Sequence, residues 1–362
     1  MKVIFRTDAS FEIGTGHVMR CLTLANALRR HGIKCSFICR EHLGNALELI
    51  HTQGFEAMVL QGQEEVQKQA EVNGYSLAHS KWLGTDWCID AEQTIECAGG
   101  MIDWLIVDHY AIDVRWESVL RSHCSKIMVI DDLADRPHDC DLLLDQNLVA
   151  QMDRRYDGKV PSYCGRMLGP DYALLQPQYA ELHPLVPPRQ GAVRRVLVYF
   201  GGADTDNLTS MVIAAFQTLA LEDVTLDVVI NSSSPHARSI RSQVHGRWNI
   251  ILYYDLPTLA PLMAQADLAI GAGGATSWER CCLGLPALVI TLAENQKAVA
   301  EELDRQGLIR WLGHKAEVSE AIFARALEDV YYTGLKLEWS ARCKQLVDGQ
   351  GAERVDTIFR SI

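Results

Sequence analysis

Residues Met1–Cys21 read MKVIFRTDASFEIGTGHVMRC. Lys2–Arg6 is a short apolar run with the composition of a strand, and Gly14 and Gly16 interrupt it. From His17 to His31 the apolar residues Met19, Leu22, Leu24, Ala25 and Leu28 return near helical spacing. Strand, glycine-rich turn and helix is the opening unit of a parallel α/β sheet. The same alternation runs outward from it. Lys34–Cys39 predicts a strand, Gly44–Gln53 a helix and Ala57–Leu60 a third strand. Trp104–Asp108 and Ile127–Asp131 are further buried strands, each closing on an aspartate, with the helix Val114–Ser122 between them. That spacing predicts helices on both faces of the sheet.

Gln61–Gly100 fits poorly. It is polar and Gln- and Glu-rich, carries Trp82 and Trp87 without a clear period, and reads as a partly helical insertion. Glu181–Arg195, ELHPLVPPRQGAVRR, is too rich in proline for a regular helix or a central strand. It divides the chain into a first domain, 1–182, a linker, 183–195, and a second domain, 196–362. The alternation restarts with Val196–Phe200 and continues through Asn207–Leu219, Thr225–Ile230, Pro235–His245 and Ile250–Tyr253. It runs on through Pro257–Ala264, Leu268–Gly271, Ala275–Leu283, Ala287–Thr291 and Gln296–Gln306. The expected fold is α/β, with two Rossmann-like domains facing a cleft at the carboxyl ends of both sheets.

Composition narrows the partners. Apolar residues make up 48% of the 362 positions, enough for sizeable cores, and the net charge of -12 disfavours a nucleic-acid partner. The N-terminus does not read as a signal peptide, and no run of about 18 apolar residues suggests a membrane span. The 11 cysteines form no C-x-x-C pair, so reduced thiols in a cytoplasmic protein are expected, without a metal or another cofactor. A monomer is expected.

Five loops carry chemistry. In Asp8–Cys21, Gly14 and Gly16 let a ligand approach the backbone, and His17 falls on the first helical turn. There the helix dipole disfavours a second positive charge, which suits a general base. A plain glycine-rich turn with a hydrogen-bonding histidine fits the same pattern. In Gly271–Pro286, GAGGATSWERCCLGLP, the residues Gly273, Gly274 and Ala275 would aim N–H groups at an anion, and Thr276 and Ser277 add hydroxyls. The G-K-[ST] of a Walker loop is missing. Glu279 lies on the following helix, where its carboxylate can accept from two ribose hydroxyls or simply complement the helix dipole. Gly201–Asn207, GGADTDN, offers close backbone approach or a turn capped by Asp204 or Asp206. In Val107–Tyr110, VDHY, Asp108, His109 and Tyr110 would face the cleft or simply form a helix-entry loop; in Leu292–Gln296, LAENQ, Asn295 and Gln296 would read polar sugar groups, or Asn295 would cap a helix. The acidic run Asp131–Asp141 reads as a solvated turn with capping aspartates rather than a metal site.

The GTGHVMRC and GGATSWE motifs together make the chain resemble the PseG family of UDP-sugar hydrolases of pseudaminic acid biosynthesis, a family related in fold to the MurG-type GT-B glycosyltransferases. The resemblance covers roughly Met1–Leu60, Trp104–Asn147 and Val196–Gln306. It implies metal-independent hydrolysis of UDP-2,4-diacetamido-2,4,6-trideoxy-β-L-altropyranose with His17 as general base. It further implies Gly14 and Gly16 in the loop holding that base, and Tyr110, Asn295 and Asp108 beside the sugar. Leu256 would sit where uracil is held through backbone groups, Gly274–Ser277 would take the diphosphate and Glu279 the ribose. A GT-B glycosyltransferase using the same UDP pocket, and a non-catalytic nucleotide-sugar binding protein, are the competing readings.

Overall fold

A computed structural model describes residues 1–61, 77–202 and 204–362, so most of the polar half of the expected insertion lies outside the described residues. Two compact units result, one built from Met1–Asn147, Gln151–Leu174 and Gly351–Ile362, the other from Leu148–Ala150 and Leu175–Gln350.

The first unit holds a seven-stranded sheet of β1 (Lys2–Thr7), β2 (Lys34–Arg40), β3 (Glu56–Leu60), β4 (Ile102–Asp108), β5 (Cys124–Ile130), β6 (Leu142–Asp145) and β7 (Gly165–Leu168). Their order is β3-β2-β1-β4-β5-β6-β7, and every pairing is parallel. Alternation along β1 and β4 feeds two cores: Val3, Phe5, Trp104 and Ile106 face one layer of helices, Ile4, Leu105 and Val107 the other.

The second unit repeats the plan with β8 (Arg195–Tyr199), β9 (Thr225–Ile230), β10 (Ile250–Tyr254), β11 (Leu268–Ala272), β12 (Ala287–Thr291) and β13 (Arg310–His314), in the order β10-β9-β8-β11-β12-β13 and all parallel. Each sheet is therefore the doubly wound type, and two such units make the GT-B fold.

The strands β6, β7 and β13 go beyond the sequence reading. No helix separates β5 from β6 and only the 3-10 turn Met152–Arg154 lies between β6 and β7, so the alternation that reveals the other strands is missing there, while β13, RWLGH, has no apolar run to mark it. The domain boundaries also differ from the linear division. The last helix, Gly351–Ser361, returns to the first unit, where Phe359 lies 4.3 Å from Trp104 between ring centroids. Residues 175–182 belong to the second unit, and the proline-rich stretch is stitched into it. Lys344 Nζ donates to the carbonyls of His183 and Val186, and buried Arg189 donates to those of Met263, Ala266 and Leu283. These cations satisfy backbone groups that no regular element pairs. Within 77–100 the described residues form a short 3-10 turn, Ser80–Leu83, and a helix, Trp87–Ala98.

Candidate active site

In the first unit the chain order reverses between β1 and β4, which opens a crevice at their carboxyl ends. Thr7 and Asp108 are register partners there, so the loop after β1 begins level with the end of β4. That loop closes on itself: Gly14 donates to the Ser10 carbonyl at 2.8 Å, with Gly14 in the left-handed region at φ +78°, where a side chain would be strained. The helix Gly16–Arg30 then starts, with His17 on its first turn.

His17 is 8% exposed, and its Nδ1 lies 2.6 Å from Asp108 Oδ1. Asp108 also accepts from Arg20, at 2.6 Å from Nε to Oδ2 and 2.7 Å from Nη2 to Oδ1. Arg20 follows His17 by three residues, which puts both on one helix face. Burial alone would raise the Asp108 carboxyl, but the charge of Arg20 and the hydrogen bonds from Arg20 and His17 hold it well below the usual carboxylate range. An anion at Nδ1 fixes the tautomer that donates there and leaves Nε2 as the acceptor. A histidine oriented in this way by a buried carboxylate has the geometry that a general base requires.

Asp108, expected beside the sugar, is instead fully buried, and both its oxygens are taken by His17 and Arg20, so its carboxylate is not free to meet a sugar. Tyr110 is corrected in part. Its ring stands edge-on to His17, with centroids 4.5 Å apart, but its hydroxyl donates to Asp132 at 2.8 Å. Burial, then the charge of Asp132, push the phenol well above its ordinary value. Asp132 also accepts from Arg20 Nη1 and from Asn147 Nδ2, at 3.1 Å for the latter, so it joins the arginine to the tyrosine. Nothing in the local sequence signals that role. His109 turns inward: its Nδ1 accepts from the Ala111 N–H at 3.1 Å, and its Nε2 lies 3.2 Å from Asp8, inside a buried network with Arg6, Arg40 and Asp90. The acidic run is only partly the expected solvated turn: Asp131 caps the Ala134 N–H at 2.8 Å and Asp135 is exposed, but the capping aspartate itself is not solvated. Asp131 is fully buried, paired with Arg136 and accepting from the Tyr156 hydroxyl at 2.9 Å. Among the described residues no group of three or more His, Cys, Asp or Glu is arranged to hold a metal.

The second unit reverses its strand order between β8 and β11. A Cβ on Gly271 would stand 2.2 Å from the Tyr199 carbonyl oxygen, so glycine is required where these strands meet. In the loop that follows, the Gly273 N–H donates to Ile290 and the Ser277 N–H to Gly274, at 2.9 and 2.8 Å. The Ser277 hydroxyl accepts from Arg280 at 3.0 Å. The backbone N–H groups of Gly273 and Ser277 are therefore corrected as anion donors, since both are already used, whereas the Ser277 hydroxyl, an acceptor from Arg280, keeps its own proton to donate. Gly274, Ala275 and Thr276 retain N–H groups without a backbone partner among the described residues. Gln296 borders the same loop, its Nε2 3.9 Å from where a Gly274 Cβ would stand, while its Oε1 accepts from Leu292 at 2.8 Å. Its neighbour Asn295 is exposed, on the 3-10 turn Glu294–Gln296, and caps no helix with its side chain.

Glu279 lies beyond the loop on the helix Thr276–Cys282. Burial raises its carboxyl to about 7, against smaller lowering effects of Tyr179 and Arg280. The Tyr179 hydroxyl stands beside that carboxyl and Thr258 but outside hydrogen-bonding geometry, a buried polar atom without a partner. Leu256 follows Asp255, whose φ is +50° and whose carboxylate accepts from the Ser232 N–H at 2.9 Å; this fixes the turn that presents Leu256. Asp204 settles the third motif as a cap, accepting from the Leu208 and Thr209 N–H groups at 3.0 Å each.

The fold and the two loops define a GT-B protein. Along 100% of both chains it is similar to Acinetobacter baumannii MurG, with a TM-score of 0.64 and 14% identity, a likeness of fold. Residues 195–352 match the glycosyltransferase family 28 C-terminal domain. The chain is 26% identical over 308 residues to the UDP-2,4-diacetamido-2,4,6-trideoxy-beta-L-altropyranose hydrolase of Campylobacter jejuni, covering 85% of this chain and 97% of that one, so the resemblance to that hydrolase is shown. It is 31% identical over 196 residues to the spore coat polysaccharide biosynthesis protein SpsG of Bacillus subtilis, where the match spans 54% of this chain and only 58% of the relative. Among the described residues no helix is long and apolar enough to cross a membrane.

Proposed function

We propose that this chain hydrolyses a UDP-linked diacetamido trideoxy sugar, UDP-2,4-diacetamido-2,4,6-trideoxy-β-L-altropyranose, to UDP and the free sugar. The observation that carries the reading is the His17–Asp108 pair at the reversal point of the first sheet. The similarity to the Campylobacter hydrolase supports the substrate.

His17 Nε2 takes a proton from a water whose oxygen attacks C1. The bond from C1 to the β-phosphate oxygen breaks with its electron pair leaving on UDP, and attack from the opposite face inverts the anomeric centre. The N–H groups of Gly274, Ala275 and Thr276 take the charge that develops on the diphosphate. Glu279 accepts from the ribose hydroxyls. The reading assigns the sugar to the first unit, beside Tyr110, and UDP to the second, beside Leu256, with Gln296 near the diphosphate and Asn295 reading polar groups of the sugar.

A proton NMR time course with this UDP-sugar, without an acceptor, tests it. Release of UDP with the opposite anomer appearing first supports an inverting hydrolase. UDP binding without turnover overturns it in favour of a transferase, to which the family 28 match would then point.

A further inference from the structure

The Ser80–Leu83 turn is anchored by Leu83, which is 2% exposed and sits in the core of the first unit. That anchor brings the preceding residue, Trp82, to the active site. Its indole stacks on Tyr110, with centroids 5.7 Å apart and planes 22° from parallel, and lies 6.4 Å from the His17 ring. His79 tilts against both, 4.3 Å from Trp82 and 5.4 Å from Tyr110. The indole N–H donates to Glu12 Oε1 at 3.1 Å, which ties the ring to the glycine loop preceding His17. Tyr110 is nearly covered, whereas Trp82 and His79 stay partly exposed.

The chemistry of this shelf is specific. Aromatic faces pack against C–H groups and methyls, so a sugar that carries an added methyl or a deoxygenated carbon gains more there than one that carries a hydroxyl at the same place. The cation beside His17 cannot serve an anionic sugar, because the Arg20 guanidinium is committed to Asp108 and Asp132. We propose that Trp82, backed by Tyr110 and held by Glu12, is a specificity-determining residue that seats the acylamino methyl or a deoxygenated carbon of a neutral sugar beside His17. The proposal rests on the assignment of the sugar to the first unit, and it deepens that reading by giving the Ser80–Leu83 turn a role in substrate choice.

The test compares binding of UDP-N-acetylglucosamine, UDP-glucose and UDP to the full chain, by competition and by saturation-transfer NMR on the acetyl methyl. Binding is read apart from turnover, so loss of the hydrolase reading and loss of this one are distinguishable. The wild type should prefer the acetamido sugar by roughly tenfold. Trp82→Ala should bring that ratio close to one and abolish transfer to the methyl, with UDP affinity unchanged as the control for folding. Trp82→Phe should keep most of the preference. Glu12→Ala, a surface change, should lower it in part by releasing the indole. An undiminished preference in both Trp82→Ala and Glu12→Ala, or no preference in the wild type, overturns the proposal.

Discussion

His17 Nδ1 and Asp108 Oδ1 are 2.6 Å apart, although the residues come from the first turn of one helix and the end of a strand 91 positions later. The pair leaves Nε2 as the proton acceptor. His17→Asn should keep the fold and lower kcat by about 100-fold or more, with UDP affinity nearly unchanged. Steady-state kinetics beside UDP calorimetry check this, and undiminished turnover removes His17 from the chemistry.

Asp108→Asn separates orientation from shape. The amide no longer holds the imidazole in one tautomer, and Arg20 keeps only Asp132 as a charged partner. The expected result is a kcat loss of about 100-fold and a stability loss of about 3 kcal/mol, read by urea titration. A loss of stability with full activity would reduce Asp108 to a structural ion-pair partner.

Tyr110→Phe should be mild. It removes one hydrogen bond to Asp132 and keeps the ring that stands against His17. We expect a stability loss of about 1 kcal/mol and a rate loss well short of the roughly 100-fold that removal of a base brings. A collapse of kcat would place the hydroxyl in the reaction.

Glu279 sets a pH dependence. Its carboxyl is raised to about 7 from an ordinary 4.5, so the free protein binds that proton more tightly than the unfolded chain does. Stability drawn from this group therefore falls as pH rises from about 4.5 through 7. Glu279→Gln should melt higher than the wild type at pH 8. Ribose hydroxyls donate to the ionised form, so affinity for a UDP-sugar should rise from pH 6 to pH 8 in the wild type and stay flat in Glu279→Gln. Calorimetry across that range decides, and equal slopes for both proteins would detach the carboxylate from the ligand.

Arg189→Ala should destabilise the second unit without touching either loop. It leaves the carbonyls of Met263, Ala266 and Leu283 buried without their donor, for a loss of about 3 kcal/mol in chemical denaturation. Retention of full stability would mean that other donors replace it.

The sequence by itself determined the two strand–helix alternations, the glycine loops that follow β1 and β11, and the placing of His17 and Glu279 on first helical turns. These features are local: side-chain periodicity and backbone freedom act within about one turn or one strand. Only the tertiary structure decided what those residues meet. Setting β1 beside β4 rather than between β2 and β3 is what delivers Asp108 to His17 and Arg20. The reach of β5 and its following loop brings Asp132 to Tyr110. The same holds for Trp82, carried in by a buried Leu83, and for Gly273 and Ser277, whose N–H groups the fold spends on Ile290 and on the turn itself. Partner choice depends on strand order and register, which sum contacts over the whole sheet, so no single stretch of the chain encodes it.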